Sequence, residues 1–107
     1  MGNFSGSDWC PHCEDLDKEV FESNTFRLWF NKRRMVPVLL DFPLYHPQDP
    51  ATKAQNAQLA QQYQVNAFPS VLAIKADGSE IGRVEGYTKR FGPDNWIQAF
   101  EQMSGVM

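Results

Sequence analysis

The chain has few of the features that mark membrane proteins, nucleic-acid-binding proteins or disulfide-stapled miniproteins. Its 107 residues include only two cysteines, too few for a small fold held together by disulfides. No apolar run approaches the ~18 residues that a membrane-spanning helix requires, and no signal-peptide pattern is visible. The net charge of −3 argues against a nucleic-acid-binding protein, which would normally carry a basic patch. These absences leave a globular chain of one domain, residues 1–107, with room for a single core.

The two cysteines that are present lie three residues apart, in the motif Trp9-Cys10-Pro11-His12-Cys13. At this spacing the two thiols can close a small disulfide on the first turn of a helix. Such a bridge closes almost no chain and adds little stability, so reactivity explains the pair better than structural support does. The motif therefore indicates a dithiol/disulfide redox centre.

Cys10 is expected to be the nucleophile, because disulfide exchange requires a thiolate. The free N–H groups and the dipole of a helix N-terminus stabilise negative charge, and His12 can add a positive charge or a hydrogen bond. Both effects lower the pKa of the Cys10 thiol from its usual ~8.5. Cys13, further into the helix, is expected to be more buried and to be the resolving thiol. A stabilised thiolate favours the reduced protein, and His12 therefore shifts the reduction potential toward the upper half of a range from roughly −270 to −120 mV.

Two other interpretations of the cysteines stay open. The pair could be an inert disulfide, or it could hold zinc together with His12 and His46. Structural zinc usually takes four ligands from two separated pairs, and no second C-x-x-C motif follows. We therefore predict neither a metal nor a separate cofactor.

Local patterns predict the element order (β)-α-β-α-β-β-α. The predicted elements are a strand ending at Phe4, a helix from the cysteine motif, a second helical stretch capped by Ser23 or Asn24, a strand over Met35–Phe42, a helix over Ala51–Gln64, strands over Ser70–Ala76 and Glu80–Glu85, and a helix from Asp94 or Asn95. Met35–Phe42 is almost continuously apolar, which is typical of a strand covered on both faces. Asp77-Gly78 predicts a hairpin turn. The apolar stripe of the last helix is expected in the core and comprises Trp96, Ile97, Phe100 and Met103.

This order resembles that of the thioredoxin superfamily over essentially the whole chain. Three motifs align in order and spacing: W-C-P-H-C, then V-N-A-F-P-S before a strand, then D-G followed by V-E-G-Y. The resemblance implies an α/β, thioredoxin-like fold, in which a mixed sheet with a C-terminal β-hairpin is flanked by helices. The G-S-D-W-C lead-in and the D-F-P…Q-x-Y-x-V-x-x-F-P stretch are most similar to bacterial thioredoxin-like proteins of the DsbH type. The dipeptide Pro11-His12 is instead the one found in DsbA, a strong oxidant.

The resemblance also implies an activity, namely thiol-disulfide exchange with cysteines of protein substrates through a mixed disulfide on Cys10. It implies a cis Phe68–Pro69 bond and a substrate-binding surface made by Trp9, Pro11, Phe68 and Pro69. The implied partners are cysteine-containing proteins and an upstream electron donor or acceptor, but no nucleic acid, and a periplasmic or secreted location is favoured. The alternative is a non-catalytic binding or adaptor module.

Three departures from the family pattern lead to further expectations. Thioredoxins carry another strand and helix before a full central strand, whereas only Met1–Phe4 precede the first loop here. We therefore expect a truncated N-terminus and a short central strand, placed between the second and third strands, which leaves backbone groups of both neighbours unpaired and favours strand borrowing from another copy. Asn3 stands nearest to the position of a carboxylate that thioredoxins bury. Pro43–Lys53 is longer than in a minimal thioredoxin and is a candidate recognition loop.

Overall fold

The computed structural model describes residues 1–105. In chain order the elements are β1 (Gly2–Ser5), α1 (Pro11–Leu16), a π-helical segment (Asp17–Phe21), α2 (Asn24–Arg33), β2 (Val38–Asp41), α3 (Pro50–Gln62), β3 (Ser70–Ile74), β4 (Glu80–Glu85) and α4 (Pro93–Ser104). The predicted order of elements is confirmed. Ser23 caps α2 as predicted, because its hydroxyl oxygen accepts the backbone N–H of Phe26 at 3.1 Å.

The four strands form one mixed sheet in the order β2-β1-β3-β4. β1 runs parallel to β2 and antiparallel to β3, and β3 and β4 form an antiparallel hairpin. The turn of that hairpin contains Asp77 and Gly78, as predicted, and Gly78 has the positive φ of 90° that glycine adopts without strain. The predicted place of the first strand, between the second and the third, is thus confirmed.

β1 is short, but its pairing is more complete than expected. Gly2–Ser5 pair residue for residue with Val38–Asp41, because β2 has the same four-residue length. On the other side, β1 pairs with Ser70–Leu72, and only Ala73 and Ile74 of β3 lie beyond that register. The expectation that the short strand would leave backbone groups of both neighbours unpaired is therefore wrong for β2.

β2 is an edge strand, so the prediction that it is covered on both faces is wrong. Val38 and Leu39 are 47% and 63% exposed, and only Leu40 is buried. The strand is also shorter than Met35–Phe42, and it begins directly after Pro37. An apolar run predicts a strand, but it does not show whether other elements pack on both faces of that strand. At the sheet edge, Val38 and Leu39 line an open groove beside the aromatic residues of α2.

The sheet separates two apolar clusters. Alternation along β3 directs Val71 into the larger cluster, with α2 and α4, and Leu72 into the smaller one, with Phe4 and Leu40. The larger cluster comprises Leu16, Val20, Phe26, Trp29, Val71, Ala73, Tyr87, Trp96, Ile97 and Phe100.

The last helix buries most of its predicted stripe, but not its final member. Trp96, Ile97 and Phe100 are buried, whereas Met103 is 59% exposed, so its assignment to the core is wrong. Ser104 takes the buried position at this end of the helix, because four residues after Phe100 bring the chain back to the same face. Over residues 1–105, no helix combines the length and the apolar character needed to cross a membrane.

Candidate functional site

The cysteine motif opens α1, as predicted, and its two cysteines are joined as a disulfide with their Cα atoms 5.3 Å apart. Cys10 is the N-cap residue and has extended backbone angles. The backbone N–H of Cys13 donates a hydrogen bond to Sγ of Cys10 at 3.2 Å. The sulfur of Cys10 thus takes the position that a capping oxygen usually occupies. Pro11 occupies the first helical turn, where no N–H is needed.

Burial differs between the two cysteines in the expected direction. Cys13 is 1% exposed and Cys10 is 7% exposed. Pro11 and His12 are both exposed at the surface beside them. The roles of Cys10 as nucleophile, Cys13 as resolving thiol and His12 as thiolate stabiliser stay predictions.

An aromatic cluster lies beside the motif. The rings of Trp9 and Phe68 meet edge to face, with 5.6 Å between centroids, and the Phe42 ring lies 5.2 Å from that of Phe68. The Phe68–Pro69 peptide bond is cis, as the resemblance implied. The structure therefore brings two of the four predicted substrate-binding residues, Trp9 and Phe68, into direct contact.

Gly6 makes room for the Trp9 indole. A Cβ atom at Gly6 would overlap the indole ring, including its nitrogen. That nitrogen donates a hydrogen bond to the carbonyl oxygen of Phe42 at 2.6 Å, and the backbone N–H of Cys10 bonds to the carbonyl oxygen of Gly6 at 3.0 Å. The loop before the motif thus holds Trp9 and Cys10 in a fixed relation.

Asp8 connects this loop to the segment that follows β2. Its carboxylate accepts the backbone N–H groups of Leu44, Tyr45 and His46 at 2.9, 2.9 and 2.8 Å. Desolvation opposes ionisation of this group, but the three backbone hydrogen bonds and the nearby His46 outweigh it and lower the pKa of Asp8. Asp8 is therefore a carboxylate anchor at physiological pH.

Asn3 and Asp17 lie together on the other side of the motif and line one groove. Within residues 1–105, the buried Oδ1 atom of Asn3 has no hydrogen-bond partner. Asp17 follows Cys13 by four residues in the helical segment, and burial, followed by the negative charges of Glu22, Asp41 and Glu14, raises its pKa. The carboxylate on this side of the molecule is thus supplied by the helix and not by β1.

The residues proposed for a zinc site are not assembled as one. His46 and Cys10 line the same cleft, which also contains Asp8 and Glu14. Between residues 1 and 105, no group of three or more His, Cys, Asp or Glu side chains could hold a metal ion.

The structure places three residues at or near the site that the sequence did not single out as part of the redox centre, namely Asp8, His46 and Asp17. The partners of Asp8 lie 36 to 38 residues away, so no local pattern could identify them. His46 stands in a polar, proline-rich loop, which is typical of a solvated side chain. Only Asp17 had a usable signal, because four residues after Cys13 place it on the same helical face.

Comparison with known proteins agrees with this geometry. A family model described as a thioredoxin-like domain matches residues 1–104. The disulfide bond reductase DsbH of Chlamydia pneumoniae is 32% identical over 81 residues, which are 76% of this chain and 48% of that protein. The thioredoxin-related protein DsbJ of the same organism is 29% identical over 89 residues, which are 83% of this chain and 25% of that protein. The chain therefore spans about half the length of the first of these relatives and a quarter of the second.

Solved structures give the same assignment of fold. A DsbH oxidoreductase superimposes with a TM-score of 0.85 and 26% identity, over 99% of this chain and 72% of that chain. The C-terminal domain of Neisseria meningitidis DsbD in the reduced form gives a TM-score of 0.64 at 20% identity, over 95% of this chain and 77% of that one. The second match supports the fold alone. Since the family model covers nearly all of the chain, this protein belongs to the thioredoxin-like domain family.

Proposed function

We propose that the protein is a thiol-disulfide oxidoreductase that exchanges its Cys10–Cys13 pair with cysteines of protein substrates. The observation that carries this proposal is the disulfide at the start of α1, with Cys10 at the N-cap and Cys13 behind it. A bridge between residues three apart contributes little stability, so a reactive role explains it best. The relative named as a disulfide bond reductase supports the same class of reaction.

In the first step, the Cys10 thiolate of the reduced protein attacks one sulfur of a substrate disulfide. A bond forms between Cys10 Sγ and that sulfur, and the other substrate sulfur leaves as a thiolate. The N–H of Cys13, which points at Cys10 Sγ, stabilises the negative charge before attack. His12 makes no hydrogen bond to Cys10 among the described residues, so its proposed contribution is that of a nearby charge.

In the second step, Cys13 attacks Cys10 Sγ and breaks the mixed disulfide. The second substrate thiolate leaves, and the Cys10–Cys13 disulfide forms, so two electrons pass from the protein to the substrate. A separate donor dithiol must then reduce the pair. The same steps in reverse oxidise a substrate dithiol, and an electron acceptor then restores the disulfide.

The substrate chain is proposed to lie across Trp9, Pro11 and Phe68, next to Pro69, whose side chain is buried. Pro69 has no N–H, and the backbone groups of Phe68 beside it are the proposed partners of an extended substrate strand. The edge-to-face pair of Trp9 and Phe68 gives this surface an apolar side. The partners are therefore proteins whose cysteines lie in extended, accessible segments.

A second proposed partner is another copy of the same chain. β2 lies at the sheet edge and presents Val38 and Leu39 at 47% and 63% exposure, which is a surface that favours strand addition. Sedimentation velocity over a concentration series tests this proposal. Self-association that Leu39→Lys abolishes would support it, and a monomer at all concentrations would exclude it.

The activity is tested by the reduction of insulin by dithiothreitol, with and without the protein. An oxidoreductase accelerates precipitation of the insulin B chain, and a double Cys10→Ser/Cys13→Ser variant does not. A non-catalytic adaptor gives the same rate in both samples, and that result would reject the proposed function. Equilibration of the cysteine pair with a glutathione series then gives the reduction potential, which determines the favoured direction.

A further inference from the structure

The loop before Cys10 and the segment after β2 are joined by three consecutive side chains. Ser7 donates hydrogen bonds through its backbone N–H and its hydroxyl to Asp41, at 3.0 and 2.6 Å. Asp8 accepts the backbone N–H groups of residues 44–46, and Trp9 donates to the carbonyl oxygen of Phe42. The position of residues 41–46 is thus tied to the residues that immediately precede the nucleophile.

Asp8 also determines the shape of this segment. Three successive backbone N–H groups reach one anionic carboxylate only if the chain curves around it, and residues 44–46 form a bend. Here the anion belongs to the protein itself. Leu44, Tyr45 and His46 therefore have a defined backbone although they lie in a loop between β2 and α3.

The side chains of this curved segment remain open to solvent. Leu44 is 67% exposed and Tyr45 is 77% exposed. His46 lines a cleft of about 670 Å³ together with Trp9, Cys10 and Pro11. Exposed apolar side chains on a fixed backbone next to a reactive group are typical of a contact surface for a partner.

We propose that Asp8 is a positioning residue, which holds Leu44 and Tyr45 next to His46 at the cleft of Cys10, so that they form a docking rim for an extended polypeptide with apolar side chains next to its cysteine. This inference rests on the proposed oxidoreductase function and specifies its substrates. The rim adjoins the apolar surface of Trp9 and Phe68, since Trp9 is hydrogen-bonded to the same segment.

Three expected results distinguish this positioning role from a role in loop stability alone. Removing the carboxylate should weaken the binding of apolar substrates. It should leave small disulfides unaffected, because they reach Cys10 without touching the rim. The reduction potential is compared in Leu44→Ser/Tyr45→Ser, which keeps the charge of Asp8 in the cleft of Cys10 and should therefore leave the potential unchanged.

The experiment compares Asp8→Ala with the wild type on two fluorogenic peptide disulfides and on glutathione disulfide. One peptide carries Leu and Tyr beside its cysteine, and the other carries Gly and Ser there. We expect KM for the apolar peptide to rise about tenfold in Asp8→Ala, with kcat within about twofold, as for loss of a moderate interface contact. The rate with glutathione disulfide should stay at the wild-type value.

Two further variants keep the result interpretable. Leu44→Ser/Tyr45→Ser retains the carboxylate and its three hydrogen bonds but removes the apolar rim, so it should reproduce the rise in KM even if Asp8→Ala folds poorly. Asp77→Ala is the matched control, because Asp77 also accepts a backbone N–H in a loop, at 2.9 Å from Ser79, but in the distant hairpin. It should leave KM for the apolar peptide unchanged.

Each of three results would overturn the inference. If KM for the apolar peptide is unchanged in both Asp8→Ala and Leu44→Ser/Tyr45→Ser, Asp8 stabilises the loop but does not contribute to substrate binding. An equal loss on glutathione disulfide would show that Asp8 acts on the cysteines. An equal loss on the Gly/Ser peptide would remove the preference for apolar segments. If the wild type exchanges with none of the disulfides, the proposed function itself fails, which is a distinguishable outcome.

Discussion

The backbone N–H of Cys13 donates a 3.2 Å hydrogen bond to Sγ of Cys10. The bond follows from the helix geometry, because the N-cap side chain lies opposite the N–H group three residues later. It is weak toward a disulfide sulfur but charge-assisted toward a thiolate. We therefore expect it to favour the reduced protein in which Cys10 is ionised.

We predict that Cys10 has the lower thiol pKa. The thiolate absorbance in the ultraviolet should be titrated in Cys13→Ser, which leaves Cys10 alone, and in Cys10→Ser, which leaves Cys13 alone. Cys10 should ionise at lower pH because it faces the helix N-terminus, whereas burial of Cys13 disfavours its charged form. If the lone Cys13 ionises first, the two roles must be exchanged.

We predict that His12→Ala makes the protein more reducing. His12 is exposed, two residues from Cys10; we expect a positive charge there to stabilise the thiolate, so that its loss would disfavour the reduced form. Each tenfold change in the equilibrium constant with glutathione corresponds to ~30 mV. His46→Ala is the comparison, since His46 lines the cleft of Cys10 but lies outside the cysteine motif. A potential that is unchanged or higher in His12→Ala would remove His12 from the mechanism.

We predict that Gly82→Ala destabilises the fold by about 1–3 kcal/mol, as overpacking does. A Cβ atom at Gly82 would overlap the backbone of Met103 and Ser104, so the end of α4 would have to move away from β4. Urea unfolding measures the change. Gly2→Ala is the matched control in another strand, because its Cβ would lie at an ordinary 3.4 Å from the Ile74 side chain. Equal stability of the two variants would contradict the close packing of α4 on β4.

We predict that Asp17→Asn stabilises the protein near neutral pH. Burial and the neighbouring carboxylates raise the pKa of Asp17 in the folded protein above its usual value. The folded state thus binds the proton more tightly than the unfolded state, and stability falls as pH rises through the interval between the two pKa values. Asn carries no charge and avoids that loss.

Thermal unfolding of wild type and Asp17→Asn at several pH values checks this sign. The variant should melt higher at about pH 7, and the difference should shrink toward about pH 3, where Asp17 is protonated in both states. A variant that melts lower at neutral pH, or a difference independent of pH, would show that the Asp17 charge is not the cause.

Local patterns were sufficient wherever a short stretch determines its own conformation. The cysteine motif with Pro11 placed the start of α1, Ser23 placed the cap of α2, and Asp77-Gly78 placed the hairpin turn. In each case the deciding interactions join residues within four positions of one another. The order of the strands was also predicted, but it came from the family resemblance and not from any local pattern.

Local patterns gave wrong predictions where packing against distant elements determines whether an apolar side chain is buried. Leu39 and Met103 both belong to apolar stretches, and both are exposed. A periodic pattern shows which face of an element is apolar, but the position of β2 at the sheet edge and the turn of α4 past Phe100 determine whether that face is covered.

The sequence by itself determined the reactive centre, because two cysteines three apart beside a proline need only one helical turn to meet. The tertiary structure alone decided what surrounds that centre. Asp8 reaches residues 44–46 across more than thirty positions of chain, and Trp9 meets Phe68, which lies still further along the chain. Such contacts depend on the closure of long loops, whose end points no local pattern encodes.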